Sequence, residues 1–207
     1  MDQDKALVNE LGRYIYILLV HLGYNMVQKR DNREMEILAY LFNSEAHIRG
    51  MEKSIKIPHA TLIRKLSRME KQNIADYRIV GKNKQYFLKR NLKSRKMLEI
   101  MENYKLIKFF EKYPHLEPLF EDIIKKCSSK LIILFGSYAK GIPKQESDID
   151  IYIETEDPNI KKKVEEINSK LSIKIGKFNQ NSLLIKEIIK NHVILVGVER
   201  FYEHLFN

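Results

Sequence analysis

Residues 131–151, LIILFGSYAKGIPKQESDIDI, place two apolar runs on either side of a Gly-Ser pair and a polar loop. The first run, 131–135, stops abruptly at Gly136-Ser137. Asp148 and Asp150 then flank Ile149 at the head of the second run, residues 149–153. Strand side chains alternate faces, so Asp148 and Asp150 share a face, about 7 Å apart along the chain. Ile149, Ile151 and Ile153 point the other way, into a core. Two carboxylates side by side on a buried strand repel each other and resist losing water. A divalent cation with oxygen ligands, most naturally Mg²⁺, relieves both problems.

The Gly-Ser pair suits the same chemistry. Gly136 allows a tight turn with a close backbone approach, and Ser137 adds a hydroxyl donor. A short helix opening at residues 137–140 would turn free amides toward an anion. Phosphate at a helix end, beside a metal on an adjacent strand, is the apparatus of phosphoryl or nucleotidyl transfer.

With a Gly-Ser pair followed about ten residues later by Asp-x-Asp, the segment resembles the nucleotidyltransferase superfamily related to DNA polymerase beta. The minimal prokaryotic and archaeal members are the nearest in kind. The flanks LFGSYAKG and SDIDIYIE match in character, and the resemblance covers residues 128–207. It implies that Gly136 and Ser137 hold nucleotide phosphates, with Lys140 offsetting their charge, and that Asp148 and Asp150 ligate Mg²⁺ and are catalytic. It implies a nucleoside triphosphate substrate, ATP above others, and a protein or RNA acceptor. Minimal members often act as antitoxins beside a small helical toxin, so a helical partner protein is implied too. The superfamily usually carries a third carboxylate on a neighbouring strand. Residues 171–178, LSIKIGKF, contain no acid, and Lys174 or Gly176 stands where one is expected. Glu154 lies about 13 Å beyond Asp150, too far to share its metal. Glu187 and Glu165 are the substitutes open to the chain.

The whole chain has 207 residues, 37 basic and 27 acidic, for a formal net charge of +10. Residues 1–91 hold 17 basic and 10 acidic residues, against 20 and 17 in the remainder. A basic front half points to nucleic acid, although a solvated Lys-rich surface is an equally cheap cause. A single Cys127 excludes a disulfide framework and suits a reducing cytoplasm. The longest apolar run, 14–20, is about a third of a bilayer's thickness, so no membrane span is expected.

The expected architecture is α+β. A helix over residues 4–28, within a first segment 1–30, packs on the next domain or on a second copy in a homodimer. Residues 31–91 have the rhythm of a winged helix-turn-helix. Helices are expected over 34–42, over 45–53 capped by Ser44, and over 59–72 with Pro58 in the first turn. Strands 74–80 and 85–88 then flank a polar turn, 81–84. The stretch IPHATLIRKLSRMEKQNIADYRIVGKNKQYFL resembles the recognition helix and wing of winged-helix transcriptional regulators. That resemblance implies duplex DNA binding through His59, Arg64, Lys65, Arg68 and Lys71, with Lys82 and Lys84 on phosphates. Linking helices over 92–127, broken at Pro114, lead to a small mixed-sheet domain over 128–207. There a helix over 182–190, a turn at Asn191-His192, a strand over 193–198 and a tail over 200–206 are expected. A DNA-binding regulator whose second domain is a nucleotide sensor or a degenerate interaction module is the competing reading.

Overall fold

The computed structural model describes residues 32–206. The helix expected over residues 4–28 lies outside them. The chain divides into two compact units, with the break after Ile100.

The described part of the first unit begins with α1 (Asn32–Asn43), the strand β1 (Ala46–His47), α2 (Ile48–Ile55) and α3 (His59–Lys71). The strands β2 (Ala75–Val80) and β3 (Asn83–Leu88) follow. These strands form an antiparallel sheet in the order β1-β3-β2. Val80 pairs with Asn83, so the hairpin turn is Gly81-Lys82 alone, two residues shorter than expected. Gly81 has φ +62°, the left-handed geometry that such a short turn demands.

Ser44 does not cap a helix. Its N–H closes α1 by donating to Tyr40 O at 3.1 Å, and Ala46 pairs with Tyr86 in the sheet. A long-range strand pairing has displaced a local capping signal, and the second helix starts at Ile48. Pro58 occupies the position before α3 rather than its first turn.

The buried stripe of α3 is Leu62, Lys65, Leu66 and Met69, spaced i, i+3, i+4 and i+7. Lys65, expected on the outer basic face, therefore lies inside, only 5% exposed. Helix α4 (Leu92–Lys112) starts where Asn91 Oδ1 accepts from Ser94 N–H at 2.9 Å. The Ser94 hydroxyl donates to Ile74 O at 2.9 Å, fixing that first turn within the unit.

The second unit holds the rest of α4, a 3₁₀ turn (Pro114–Leu116) and α5 (Glu117–Lys126). The chain continues through β4 (Ile132–Phe135), α6 (Gly136–Ala139), β5 (Ile149–Glu154), α7 (Pro158–Glu165) and β6 (Leu171–Gly176). It ends with α8 (Leu183–Lys190), β7 (Val193–Val196) and α9 (Val198–Phe206). The sheet order is β6-β5-β4-β7, with β5 and β6 parallel and the other pairs antiparallel.

Ile149, Ile151 and Ile153 enter the core of one sheet face, together with Phe109, Phe120, Ile123 and Val164. The other face is covered too. Tyr152 is buried there, and its hydroxyl donates to Gly176 O at 2.8 Å. Phe178 meets both Tyr152 and Phe201 edge-on. The expected tail is thus the helix α9, which buries Phe201 and Tyr202.

His192, expected in a simple turn, is buried. Its Nδ1–H donates to Ile188 O at 2.8 Å, and its Nε2 lies 3.2 Å from Glu102 Oε1. Glu102 also accepts from the Tyr202 hydroxyl at 3.1 Å and pairs with Lys105 at 2.8 Å. Burial pushes the Glu102 carboxyl up, but Lys105 and His192 outweigh it and bring the group down to about 2.

A depressed carboxyl contributes stability above its unfolded value of 4.5, and that stability drains away as pH falls from 4.5 toward 2. Over that window about 3 kcal/mol should be lost from this group alone. Urea unfolding at several pH values should show the loss in the native chain. Glu102→Gln should flatten the pH slope while lowering stability at neutral pH, because Lys105 then lacks its counter-charge.

Candidate active site

Strand register assembles the site. Phe135, the last residue of β4, pairs with Asp150 on β5, so the chain leaving β4 turns directly beside that carboxylate. Gly136 makes the turn with φ +71°. A Cβ there would stand 2.1 Å from Asp150 Oδ2, so a side chain is excluded by sterics as well as by conformation. Gly136 and Ser137 then open the single-turn helix α6 next to Asp150.

The loop that follows is pinned at several points. Lys112 Nζ donates to Gly141 O at 2.9 Å, and the Tyr138 ring packs edge-on against Tyr113. The Ser147 hydroxyl accepts from Lys144 N–H at 2.8 Å, one residue before Asp148. Ile149 N–H donates to Lys170 O at 2.8 Å, tying the head of β5 to the approach of β6. Asp148 is exposed at this head and Asp150 is half-buried behind it.

Burial pushes the Asp150 carboxyl up, and the charges of Asp148 and Glu187 add to this. The Ser172 hydroxyl and Lys174 pull the other way without cancelling it. An acid held in its less comfortable, charged form, with a second acid on the same face, is a donor set suited to a hard divalent cation. No three His, Cys, Asp or Glu side chains among the described residues are grouped to hold a metal ion by themselves. Mg²⁺ fits that arrangement, because it is commonly held by one or two carboxylates plus substrate phosphates.

The register also corrects the expected position of a third acid. Ser172, not Lys174 or Gly176, stands beside Asp150, while Lys174 pairs with Tyr152 and Gly176 with Glu154. Alternation along LSIKIG could not reveal this, since a shift of two residues leaves every side chain on the same face. Glu154 accepts from Arg200 at 3.1 and 3.3 Å and meets His204 Nε2 at 2.7 Å, at the far end of β5. Glu165 lies on α7, next to core residue Val164, and pairs with Lys161. Lys140 Nζ, one turn beyond Gly136, binds Glu187 Oε1 of α8 at 2.8 Å. Of the two substitute acids, therefore, only Glu187 acts on Asp150.

A hollow of about 320 Å³, bordered by Ser129, Glu154, Thr155, Lys177 and Arg200, opens at the opposite end of β5 from the aspartates. Two ion pairs lie along it, Glu154–Arg200 and Glu156–Lys177.

In the first unit, His59, Arg64, Arg68 and Lys71 are exposed on α3, with Lys82 exposed in the hairpin turn. Lys65 is absent from that face. Lys84 lays its ammonium over the Tyr77 ring, 3.5 Å from the centroid. Among the described residues no helix is long and apolar enough to cross a membrane.

Residues 121–200 match the family described as "Polymerase beta, Nucleotidyltransferase", and the second unit accordingly carries a nucleotidyltransferase domain. No curated protein matches the chain. A solved structure described as "Crystal structure of the toxin-antitoxin with AMP-PNP" is similar at 22% identity and a TM-score of 0.31. That similarity covers 43% of this chain and 88% of that one.

Two substitutions separate fold from site. Gly136→Ala should cost about 2 kcal/mol, since it strains a positive φ and drives a methyl into the Asp150 carboxylate. Asp150→Asn removes a charge the fold disfavours, and should raise the thermal midpoint by about 2 °C while ending Mg²⁺-dependent triphosphate binding. Calorimetric scans with and without Mg²⁺ and triphosphate read both effects.

Proposed function

We propose that the chain is a Mg²⁺-dependent enzyme that transfers a nucleoside monophosphate from a triphosphate, ATP above others, to a hydroxyl on a protein or RNA. The observation that carries this reading is the packing of the Gly136 backbone against Asp150, which sets the start of α6, Gly136 and Ser137, beside that carboxylate, itself two residues along the chain from Asp148.

Asp148 and Asp150 would hold Mg²⁺, which when bound supplies neutralisation of the charge growing on the α-phosphate. Ser137 and the neighbouring amides orient the phosphates, and Lys140 offsets their charge. The pinned loop before Asp148 keeps the two acids in place. The acceptor hydroxyl attacks in line with the departing pyrophosphate, and positioning supplies much of the rate. The resemblance of the motif to minimal nucleotidyltransferases supports a helical toxin as the acceptor, with this chain as antitoxin.

The first unit, on this reading, is a winged helix that addresses the protein to duplex DNA. Support comes from the exposed basic side chains on α3 and at the hairpin turn. With Lys65 buried, the α3 groove-facing set is His59, Arg64, Arg68 and Lys71. Lys82 meets backbone phosphate, joined by Lys84 once it leaves the Tyr77 ring.

A second reading, a regulator whose domain binds nucleotide without turnover, is favoured by one observation. Ser172 stands beside Asp150 where a third carboxylate would serve the reaction.

Incubation with α-labelled ATP, GTP, CTP or UTP, Mg²⁺ and cell extract should label protein or RNA. The double variant Asp148→Asn/Asp150→Asn should label nothing. Binding of triphosphate without any label in the native chain would favour the regulator. Duplex binding, measured separately, should weaken steeply with salt as counterions are released. Arg64→Ala/Arg68→Ala should reduce the logarithmic salt slope by roughly 2 and leave triphosphate affinity unchanged.

A further inference from the structure

At the aspartate end of the sheet, β6 presents a serine to Asp150, so the strands themselves provide no acid beyond Asp148 and Asp150. A third acid reaches this region from a helix. The hydroxyl of Ser182 caps α8 by accepting from Ile185 N–H at 3.2 Å, and Ile185 and Ile188 anchor the helix in the unit's interior. Glu187 lies between those anchors and turns outward to Lys140 Nζ at 2.8 Å. Lys140 in turn terminates the short helix that begins at Gly136. The two side chains are 36% and 47% exposed, so water screens their attraction. Such a pair is worth only about 0.2–1 kcal/mol and exchanges readily for a stronger partner. Lys140 nevertheless ties Glu187 to the end of the four-residue helix that opens at Gly136 against Asp150, which places this carboxylate at the border of the site.

Resting on the nucleotidyl-transfer reading, we propose that Glu187 accepts the proton of the acceptor hydroxyl and that Lys140 exchanges Glu187 for the incoming triphosphate. In the structure Lys140 Nζ engages the Glu187 carboxylate at 2.8 Å. A triphosphate brings several negative charges beside α6 and draws the ammonium away, which leaves the Glu187 carboxylate free. In the step, the hydroxyl oxygen bonds to the α-phosphorus, and the bond from that phosphorus to the oxygen bridging the β-phosphate breaks. Pyrophosphate departs with the electron pair, and the hydroxyl proton passes to Glu187 and then to water. The single device explains why an acid-poor strand can border a working site. Phosphate arrival itself releases the base.

The test is a double-mutant cycle on the full chain with Glu187→Gln, Lys140→Met and the pair. The binding probe is a non-hydrolysable ATP analogue with Mg²⁺, followed by calorimetry. Turnover is read as label transferred from α-labelled ATP onto acceptors in cell extract. Glu187→Gln should bind the analogue about 1.5- to 5-fold more tightly, because Lys140 no longer has to leave a carboxylate. The same change in the Lys140→Met background should tighten nothing. Glu187→Gln should lower kcat roughly 10²- to 10⁴-fold without raising KM for ATP, the loss expected for a missing general base. Undiminished turnover in Glu187→Gln, or tightening that persists without Lys140, overturns the assignment while leaving nucleotidyl transfer intact. A native chain that binds no triphosphate overturns nucleotidyl transfer and the Glu187 assignment together.

Discussion

The contact between the Gly136 backbone and the Asp150 carboxylate is the constraint around which the second unit is arranged. Antiparallel pairing of Phe135 with Asp150 sends the chain leaving β4 across the carboxylate face of β5. Only a residue without a Cβ and with a positive φ can make that passage. Everything placed nearby follows from it. Ser137 opens α6 there, Lys140 closes it, and the loop pinned by Lys112, Ser147 and Lys170 delivers Asp148 to the head of the same strand. The isoleucines of β5 hold the opposite face in the core, so the strand cannot roll to relieve its acids.

Two carboxylates of this unit show opposite electrostatics. Glu102 is fully buried yet well served, with Lys105, His192 and Tyr202 around it, and its carboxyl is held far down. Asp150 is less buried but poorly served, with Ser172 and Lys174 failing to offset burial and the charges of Asp148 and Glu187. The first pattern is that of a structural ion network. The second is that of a group awaiting a cation, and a charge left uncompensated in an otherwise satisfied interior marks a site of chemistry.

Local pattern made much of this legible. The Gly-Ser pair, the Asp-x-Asp spacing and the apolar alternation of β5 are short-range signals, and the structure brings Gly136 and Asp150 into contact. What escaped reading depends on partners distant in sequence. Ser44 carries a capping residue's chemistry, but Ala46 pairs with Tyr86 and takes the segment into a sheet. Lys65 sits between Leu62 and Met69 on the inward stripe of α3, a position that a count of basic residues hides. Ser172 became the neighbour of Asp150 through a parallel register that alternation leaves open. The Glu102–His192 pair joins residues 90 positions apart, and no local pattern announces such a bond. The 200–206 segment looked like a tail because its aromatics lacked a visible partner, which Phe178 and Glu102 provide.

A crystal of the native chain grown with Mn²⁺ and a non-hydrolysable ATP analogue would locate the metal by its anomalous scattering. The peak should lie between the carboxylates of Asp148 and Asp150, with the analogue's phosphates against Gly136 and Ser137. Metal and phosphates found instead in the hollow beside Glu154 and Arg200, or a strand pair that stays metal-free while nucleotide binds elsewhere, would contradict the assignment of this end of the sheet as the reactive one.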